Sequence, residues 1–298
     1  MTDDWKEVLG CPYCQGGLQL TDGDVVALEC PACGKLFSMA GGIPRLLRHE
    51  DAGRLDRFSQ EYRQARVGEG FGPLSREQAL ALPYGRPTGY PPLYWQVRRQ
   101  SYCALLGVLA REGPSPAAGP AADLGAGIGW LSYRLAQLGY RVAAVEASLD
   151  ETFGLGAART HFSSFASLLP IQGDLEHPPL QAGQFGFAVF NASLHYAGDL
   201  RCTLDRASLA LRPGGRVFIL DTPIGREPQR GTGRGDRHLG QQELHSALLA
   251  AGLEPRWLSI RRGWRWWTHQ LKASIKWQPR YSFPMIVADL AGQKKETE

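Results

Sequence analysis

The chain has 298 residues, of which 43% are hydrophobic and 21% are charged, and its formal net charge is +4. This balance is typical of a globular protein of about two domains and excludes a disordered or collagen-like chain. No stretch approaches the roughly eighteen uninterrupted apolar residues of a membrane span, and the acidic start lacks the pattern of a secretory leader. We therefore expect a cytoplasmic protein without a transmembrane segment.

Four cysteines near the start form two C-x-x-C pairs, Cys11 with Cys14 and Cys30 with Cys33. Two pairs at this spacing are typical of a tetrahedral zinc site, and four thiolate ligands leave no coordination position open for catalysis. A segment of under about fifty residues lacks a sufficient core, so the metal is expected to fold it. We predict a structural zinc ribbon over residues 1–48, with these cysteines as the ligands.

Residues 49–112 have a polar, helix-leaning start in "RLDRFSQEYRQARV", and Tyr94–Arg111 has the spacing of a further helix. The linker at Gly113–Pro120 ends that helix. We interpret residues 49–112 as a helical connector between the ribbon and the rest of the chain.

Strands and helices alternate from residue 113 to 298. The predicted strands are "AADLGAG", "YRVAAVEAS", "LLPIQGDL", "FGFAVFNAS", "GRVFILDTP", "PRWLSIRR" and "RYSFPMIVADL". Alternation of this kind implies right-handed crossovers. We predict an α/β fold with a doubly wound, mostly parallel Rossmann-like sheet.

The first of these strands runs into the glycine turn "DLGAGIGW", which contains Asp123, Gly125, Gly127 and Gly129. Glycines let the chain turn sharply there and let a ligand approach the backbone closely. The dinucleotide fingerprint G-x-G-x-x-G would need glycine where Trp130 stands, so a nicotinamide or flavin cofactor is disfavoured.

Two acidic residues follow the next strands. Glu146 ends the second strand, where its carboxylate can accept both hydroxyls of a ribose, and Asp174 follows the third, where it can meet an adenine amino group. The alternative is a tight turn without a ligand. The two acids and the "LRPGG" turn, at the expected intervals, argue against it.

This constellation resembles the class I S-adenosylmethionine-dependent methyltransferases, from about residue 95 to the end. The resemblance implies a methyltransferase (EC 2.1.1) with S-adenosylmethionine as cofactor and a seven-stranded sheet whose last strand is antiparallel. The helical connector over residues 49–112 is a candidate cap for the acceptor site. The implied cofactor-binding residues are Asp123, Gly125, Ala126, Gly127, Glu146, Asp174, Leu175 and Asn191.

The segment "FNASLHYAGD" follows the fourth strand, where this family places its acceptor contacts. It lacks the two prolines typical of enzymes that methylate exocyclic nitrogens of adenine or glutamine, and it looks more like the group that acts on small molecules and lipids. His195 and Tyr196 are therefore candidates for acceptor positioning or proton removal, although His195 would also fit a purely pocket-closing role. Asp221 is a further candidate whose alternative role is a turn cap.

The segment "RRGWRWWTHQLKASIKWQPR", about residues 261–280, is predicted to be an amphipathic insertion with a basic face. It could pack on the sheet as a cap, cover a hydrophobic acceptor, contact anionic lipid as a peripheral membrane helix, or stack on single-stranded RNA. Composition does not separate these alternatives.

The ribbon itself, over residues 8–47, resembles the small zinc-ribbon activator family that partners RNA and protein methyltransferases. It carries "CPYCQGGL", "LECPACGKLFSM" and "GGIPRLL", and the resemblance implies a protein partner. We expect a methyltransferase of a small-molecule or lipid-like acceptor. The alternatives are an rRNA or tRNA methyltransferase and a non-catalytic docking or scaffold module.

Overall fold

The computed structural model describes residues 5–21, 27–162, 166–230, 237–263, 266 and 281–292. The N-terminal segment forms short antiparallel hairpins. Its strands are β1 (Gln19–Leu20), β2 (Leu28–Glu29), β3 (Leu36–Phe37), β4 (Met39–Ala40) and β5 (Ile43–Pro44).

Three helices connect the hairpins to the main sheet: α1 (His49–Gly68), α2 (Arg76–Ala81) and α3 (Pro92–Glu112). The predicted helix over Tyr94–Arg111 lies within α3. Helix α2 was not expected, and it begins with a capping box in which the side chains of Ser75 and Gln78 each accept a backbone N–H of the other residue.

The main sheet has seven strands in the order β14-β15-β10-β9-β6-β7-β8. In chain order its elements, with three short strands beside it, are β6 (Ala121–Leu124), α4 (Trp130–Gln137), β7 (Val142–Glu146), α5 (Leu155–Phe162), β8 (Leu168–Gln172), β9 (Phe185–Asn191), α6 (Leu200–Ala210), β10 (Leu211–Leu220), β11 (Ile224–Gly225), β12 (Gln229–Arg230), β13 (Arg237–Gly240), α7 (Gln241–Ala250), β14 (Leu253–Leu258) and β15 (Met285–Leu290). Strand β15 pairs antiparallel with both of its neighbours, while β8, β7, β6, β9 and β10 are parallel. The predicted mostly parallel, seven-stranded sheet is therefore confirmed.

Successive residues of the central strands point to opposite faces of the sheet, as strand geometry requires. In β7, Ala143 and Val145 pack with α6, α7 and the ribbon, whereas Val142 and Ala144 pack with α3, α4 and α5. Both faces are covered, which explains why these strands are almost continuously apolar.

The ribbon is joined to the main sheet along strand β8, which is the sheet's edge. Arg45 pairs with Gln172 in a parallel bridge, and the backbone N–H of Leu46 donates to the carbonyl of Gln172 at 2.8 Å. On the other side of the ribbon, Leu9 pairs with Leu180. The edge strand is thus covered within the same chain.

Among the described residues, no helix combines the length and apolar character needed to cross a membrane. The predicted amphipathic insertion at residues 261–280 lies mostly outside the described residues.

Candidate functional site

The four cysteines of the ribbon lie together, with their Sγ atoms all within 4.8 Å of one another. Cys11 Sγ is 3.6 Å from Cys33 Sγ, and Cys14 Sγ is 3.5 Å from Cys30 Sγ. A tetrahedron with Zn–S bonds of about 2.3 Å places its sulfur atoms about 3.8 Å apart. The cluster is therefore compatible with a structural zinc ion.

The glycine turn after β6 forms part of the wall of a cavity of about 780 Å³. Gly125 has a φ of +76°, and a Cβ there would lie 2.3 Å from the Cβ of Ser193. A Cβ on Gly127 would meet only Phe153 O, at 3.9 Å, so open space adjoins its backbone. A ligand can approach this backbone in a way that a side chain would block.

Glu146 lies at the carboxyl end of β7 and lines the same cavity. Its Oε2 accepts the backbone N–H of Gly127 at 2.9 Å, and its Oε1 accepts the N–H of Ser148 at 3.0 Å. Burial raises the pKa of this carboxyl, and the backbone N–H groups act against that shift. A carboxylate has about four lone-pair sites, so each oxygen can still accept a hydroxyl.

Asp174, Leu175 and Asn191 also line the cavity, so the structure places them beside the glycine turn. Asp123 and Ala126 are not among the lining residues. The carboxyl of Asp123 accepts a hydrogen bond from Ser132 Oγ at 2.6 Å, inside the fold. Burial raises the pKa of Asp123 to about 7. The structure therefore places the Asp123 carboxyl inside the fold and not in the cavity wall.

His195 and Tyr196 lie in a 3-10 turn after β9, and both line the cavity. Burial, with Arg66 and Arg98 nearby, lowers the pKa of His195 to about 3, so its imidazole is neutral near pH 7. Its Nδ1 is buried and has no hydrogen-bond partner among the described residues. So weak a base is better suited to positioning an acceptor than to removing its proton.

Helix α1 covers the cavity with one face. Arg54, Phe58, Tyr62 and Arg66 recur every four residues and all line it, and Arg54 Nη2 is 2.6 Å from Asp174 Oδ2. None of these four is among the predicted site residues. The four-residue spacing is the signal that could have found them, since such residues share one helix face.

Asp221 follows β10 and lines the cavity with a φ of +49°, in the left-handed region. Its Oδ1 accepts from Ser101 Oγ at 2.5 Å and lies 3.4 Å from Arg262 Nη2, whereas its buried Oδ2 has no partner among the described residues. Backbone strain in a residue of this type is often kept at functional sites. The structure thus adds a reason to regard Asp221 as more than a turn cap.

Residues 122–219 match a family model described as a methyltransferase domain. No curated protein matches the chain.

Solved methyltransferase structures share the fold. The 1,6-didemethyltoxoflavin-N1-methyltransferase of Burkholderia thailandensis aligns with 92% of this chain and 99% of its own, at 17% identity and a TM-score of 0.53. A second match comes from the complex of the Haloferax volcanii Trm112 methyltransferase activator with a methyltransferase. The alignment covers 66% of the protein described here and 93% of the matched chain of that complex, at 17% identity and a TM-score of 0.51. Phosphoethanolamine N-methyltransferase 2 of Haemonchus contortus aligns with 72% of this chain and 56% of its own, at 16% identity and a TM-score of 0.52.

The family match covers most of β6, the glycine turn, Glu146 and Asp174, and the fold of the whole sheet agrees with it. S-adenosylmethionine is the cofactor of such enzymes. The structure therefore has the fold of S-adenosylmethionine-dependent methyltransferases around a segment, residues 122–219, that matches a methyltransferase domain, and this fold is preceded by a four-cysteine cluster compatible with a zinc ribbon.

Proposed function

We propose that the protein methylates a small-molecule or lipid-like acceptor. The observation that carries this proposal is that one cavity is lined both by the glycine turn with Glu146 and by His195 with Tyr196. Its volume of about 780 Å³ lies within the range of roughly 300–1,000 Å³ found for ligand sites. Such a space suits a cofactor with a small acceptor better than a segment of a macromolecule.

The lining residues fit the cofactor. S-adenosylmethionine would supply an electrophilic methyl group. Glu146 would accept hydrogen bonds from the ribose hydroxyls, Asp174 would accept one from the adenine amino group, and Gly127 would give room for close approach. His195 would position the acceptor as a neutral side chain, because in-line transfer needs alignment more than a strong base.

The Burkholderia structure supports a small acceptor, since it contains bound 1,6-didemethyltoxoflavin with S-adenosylhomocysteine and aligns with 92% of this chain. For the ribbon, we infer a role within the chain, because it already covers the edge strand β8 through Arg45 and Leu46. A separate protein partner would then bind the outer surface of the ribbon.

Incubation with radiolabelled S-adenosylmethionine and fractionated cell extract tests the proposed acceptor. We expect label in the small-molecule or lipid fraction. Label confined to RNA or to protein would contradict the proposal. Calorimetry tests the cofactor step separately: Glu146→Ala should abolish binding of S-adenosylmethionine, and the exposed Glu254→Ala should bind it like the wild type.

A further inference from the structure

Aromatic side chains make up much of the cavity lining. Phe58, Tyr62 and Tyr196 form one group, with ring centroids 5.5 to 6.0 Å apart. Phe71 and Tyr94, 4.9 Å apart, belong to a second group. Rings arranged in this way present flat faces and edges, which favour a planar aromatic ligand over a flexible alkyl chain.

Arg66 links the two aromatic groups. Its guanidinium carbon lies 4.8 Å from the ring centroid of Tyr62 and 5.5 Å from that of Phe71, and its Nη2 donates to the Tyr196 hydroxyl at 3.2 Å. Its Nε is buried and has no hydrogen-bond partner among the described residues. A guanidinium stays charged, and a buried donor without a hydrogen bond destabilises the protein. An oxygen of the bound methyl acceptor could accept a hydrogen bond from this Nε and remove that destabilisation.

A second guanidinium lies in the same lining. The guanidinium carbon of Arg98 is 3.6 Å from the ring centroid of Tyr94, and no described carboxylate lies within ion-pair distance of it. Arg66 and Arg98 thus occupy ring faces that an ammonium ligand would need. Arg66 Nη1 already pairs with Glu69 Oε2 at 2.7 Å, whereas Arg98 has no described carboxylate partner. The guanidinium of Arg98, next to the unsatisfied Nε of Arg66, therefore favours an anionic acceptor over an amine.

Asp221 and His195 supply the remaining polar atoms. Asp221 Oδ2 is a buried acceptor without a described partner, and His195 Nδ1 is buried and unpartnered as well. Both residues line the cavity. The Asp221 oxygen can therefore accept an N–H or O–H of a bound ligand at the strained end of β10.

We propose that the acceptor is a planar aromatic acid that also carries an N–H or O–H group, with its ring among the aromatic side chains, its anionic group on Arg66 and Arg98, and its N–H or O–H on Asp221. This inference rests on the proposed methyl transfer. In the transfer, a lone pair of the anionic atom forms the bond to the methyl carbon, and the carbon–sulfur bond breaks with its electron pair left on sulfur. An anion and a sulfonium become two neutral products, so no proton has to pass to His195.

Four probes test this acceptor class on the full-length protein loaded with S-adenosylhomocysteine. They are indole-3-carboxylate, its neutral carboxamide, the cation tryptamine and the flexible anion dodecanoate. We expect indole-3-carboxylate to bind about tenfold more tightly than each of the other three, since a charge-assisted pair to arginine adds to ring stacking.

Substitutions of the two arginines then test whether they recognise the negative charge of the ligand. Arg66→Gln and Arg98→Gln should each weaken binding of the carboxylate about tenfold and leave the carboxamide unchanged. Arg201→Gln, on the exposed surface of α6, is the matched control. Calorimetry with S-adenosylmethionine on each variant shows whether the protein is folded and cofactor-competent.

The outcomes separate the two proposals. If S-adenosylmethionine does not bind the wild type, the proposed function fails. If it binds but tryptamine or dodecanoate binds best, or no probe binds at millimolar concentration, the acceptor class is wrong. Equal losses for the carboxylate and the carboxamide in Arg66→Gln and Arg98→Gln would also overturn it.

Discussion

At the scale of single residues, Gly125 combines two constraints that can be separated experimentally. Its φ of +76° disfavours any side chain, and a Cβ would collide with Ser193. Gly183 has a similar φ of +71° but open space around the added Cβ. We expect Gly183→Ala to lower the free energy of unfolding by about 1 kcal/mol and Gly125→Ala by about 3 kcal/mol, because only the second adds a steric clash.

Urea denaturation of both variants checks this expectation. S-adenosylmethionine binding should fall in Gly125→Ala and stay unchanged in Gly183→Ala. Equal losses of stability in the two variants would show that backbone strain alone accounts for the effect.

His195 should make stability depend on pH. Burial lowers its folded-state pKa to about 3, whereas the unfolded imidazole titrates near 6.5, so the unfolded state binds more protons between these values. The stability from keeping His195 neutral is present above the unfolded pKa and is lost as the pH falls toward 3. From pH 7 to pH 5 this loss amounts to about 2 kcal/mol.

The free energy of unfolding should fall between pH 7 and pH 5 in the wild type, and we expect this fall to be about 2 kcal/mol smaller in His195→Gln. Denaturant unfolding at the two pH values measures the difference. The exposed His245→Gln is the control and should follow the wild type. If His195→Gln kept the wild-type pH dependence, the imidazole of His195 would take up protons in the folded protein as it does in the unfolded one.

At the scale of secondary-structure elements, the side chain of Gln172 adds hydrogen bonds at the junction between the ribbon and strand β8. Gln172 Oε1 accepts from Arg45 Nε at 2.8 Å, and Gln172 Nε2 donates to the Ala147 carbonyl at 2.9 Å, one residue after Glu146. We expect Gln172→Ala to reduce the free energy of unfolding by about 2 kcal/mol, since two partly buried hydrogen bonds are lost. The exposed Gln184→Ala should change it by less than about 0.5 kcal/mol.

Equilibrium unfolding in urea measures both variants. If Gln172→Ala were as stable as Gln184→Ala, the side chain would not hold the ribbon against the sheet, and the backbone bonds alone would account for the junction.

The elements predicted from the sequence are those with a strong local pattern. Apolar strands such as β7 and the glycine turn after β6 were predictable because burial on both faces and backbone geometry restrict their residues. Strands β11 to β13 were not, because two to four residues carry no periodicity.

Within the site, residues near one another in sequence were easier to predict than those brought together by packing. Asp174 was predicted from its position after a strand, but its partner Arg54 lies 120 residues earlier, and only the folded chain joins them. The same holds for Asp221 with Ser101 and Arg262, whose hydrogen bonds link β10 to helix α3 and to the segment after β14.

At the scale of the whole molecule, the ribbon shares one hydrophobic core with the sheet. Trp5, Leu18 and Phe37 belong to the same buried cluster as Leu169 and Ile171 of β8. The ribbon is also followed directly by α1, whose face covers the cavity. Unfolding of the ribbon should therefore disrupt the cofactor site, both through the shared core and through α1.

Metal removal tests this connection. We expect one zinc per chain by metal analysis, and we expect Cys14→Ser to lose the zinc while Cys103→Ser, outside the cluster, retains it. Because binding of the metal is coupled to folding, zinc-free protein should unfold at a lower temperature and should lose S-adenosylmethionine binding in the same transition. If the zinc-free protein bound the cofactor with unchanged affinity, the ribbon would be a separate module. The fold of the cofactor site would then not depend on the ribbon, despite the shared core.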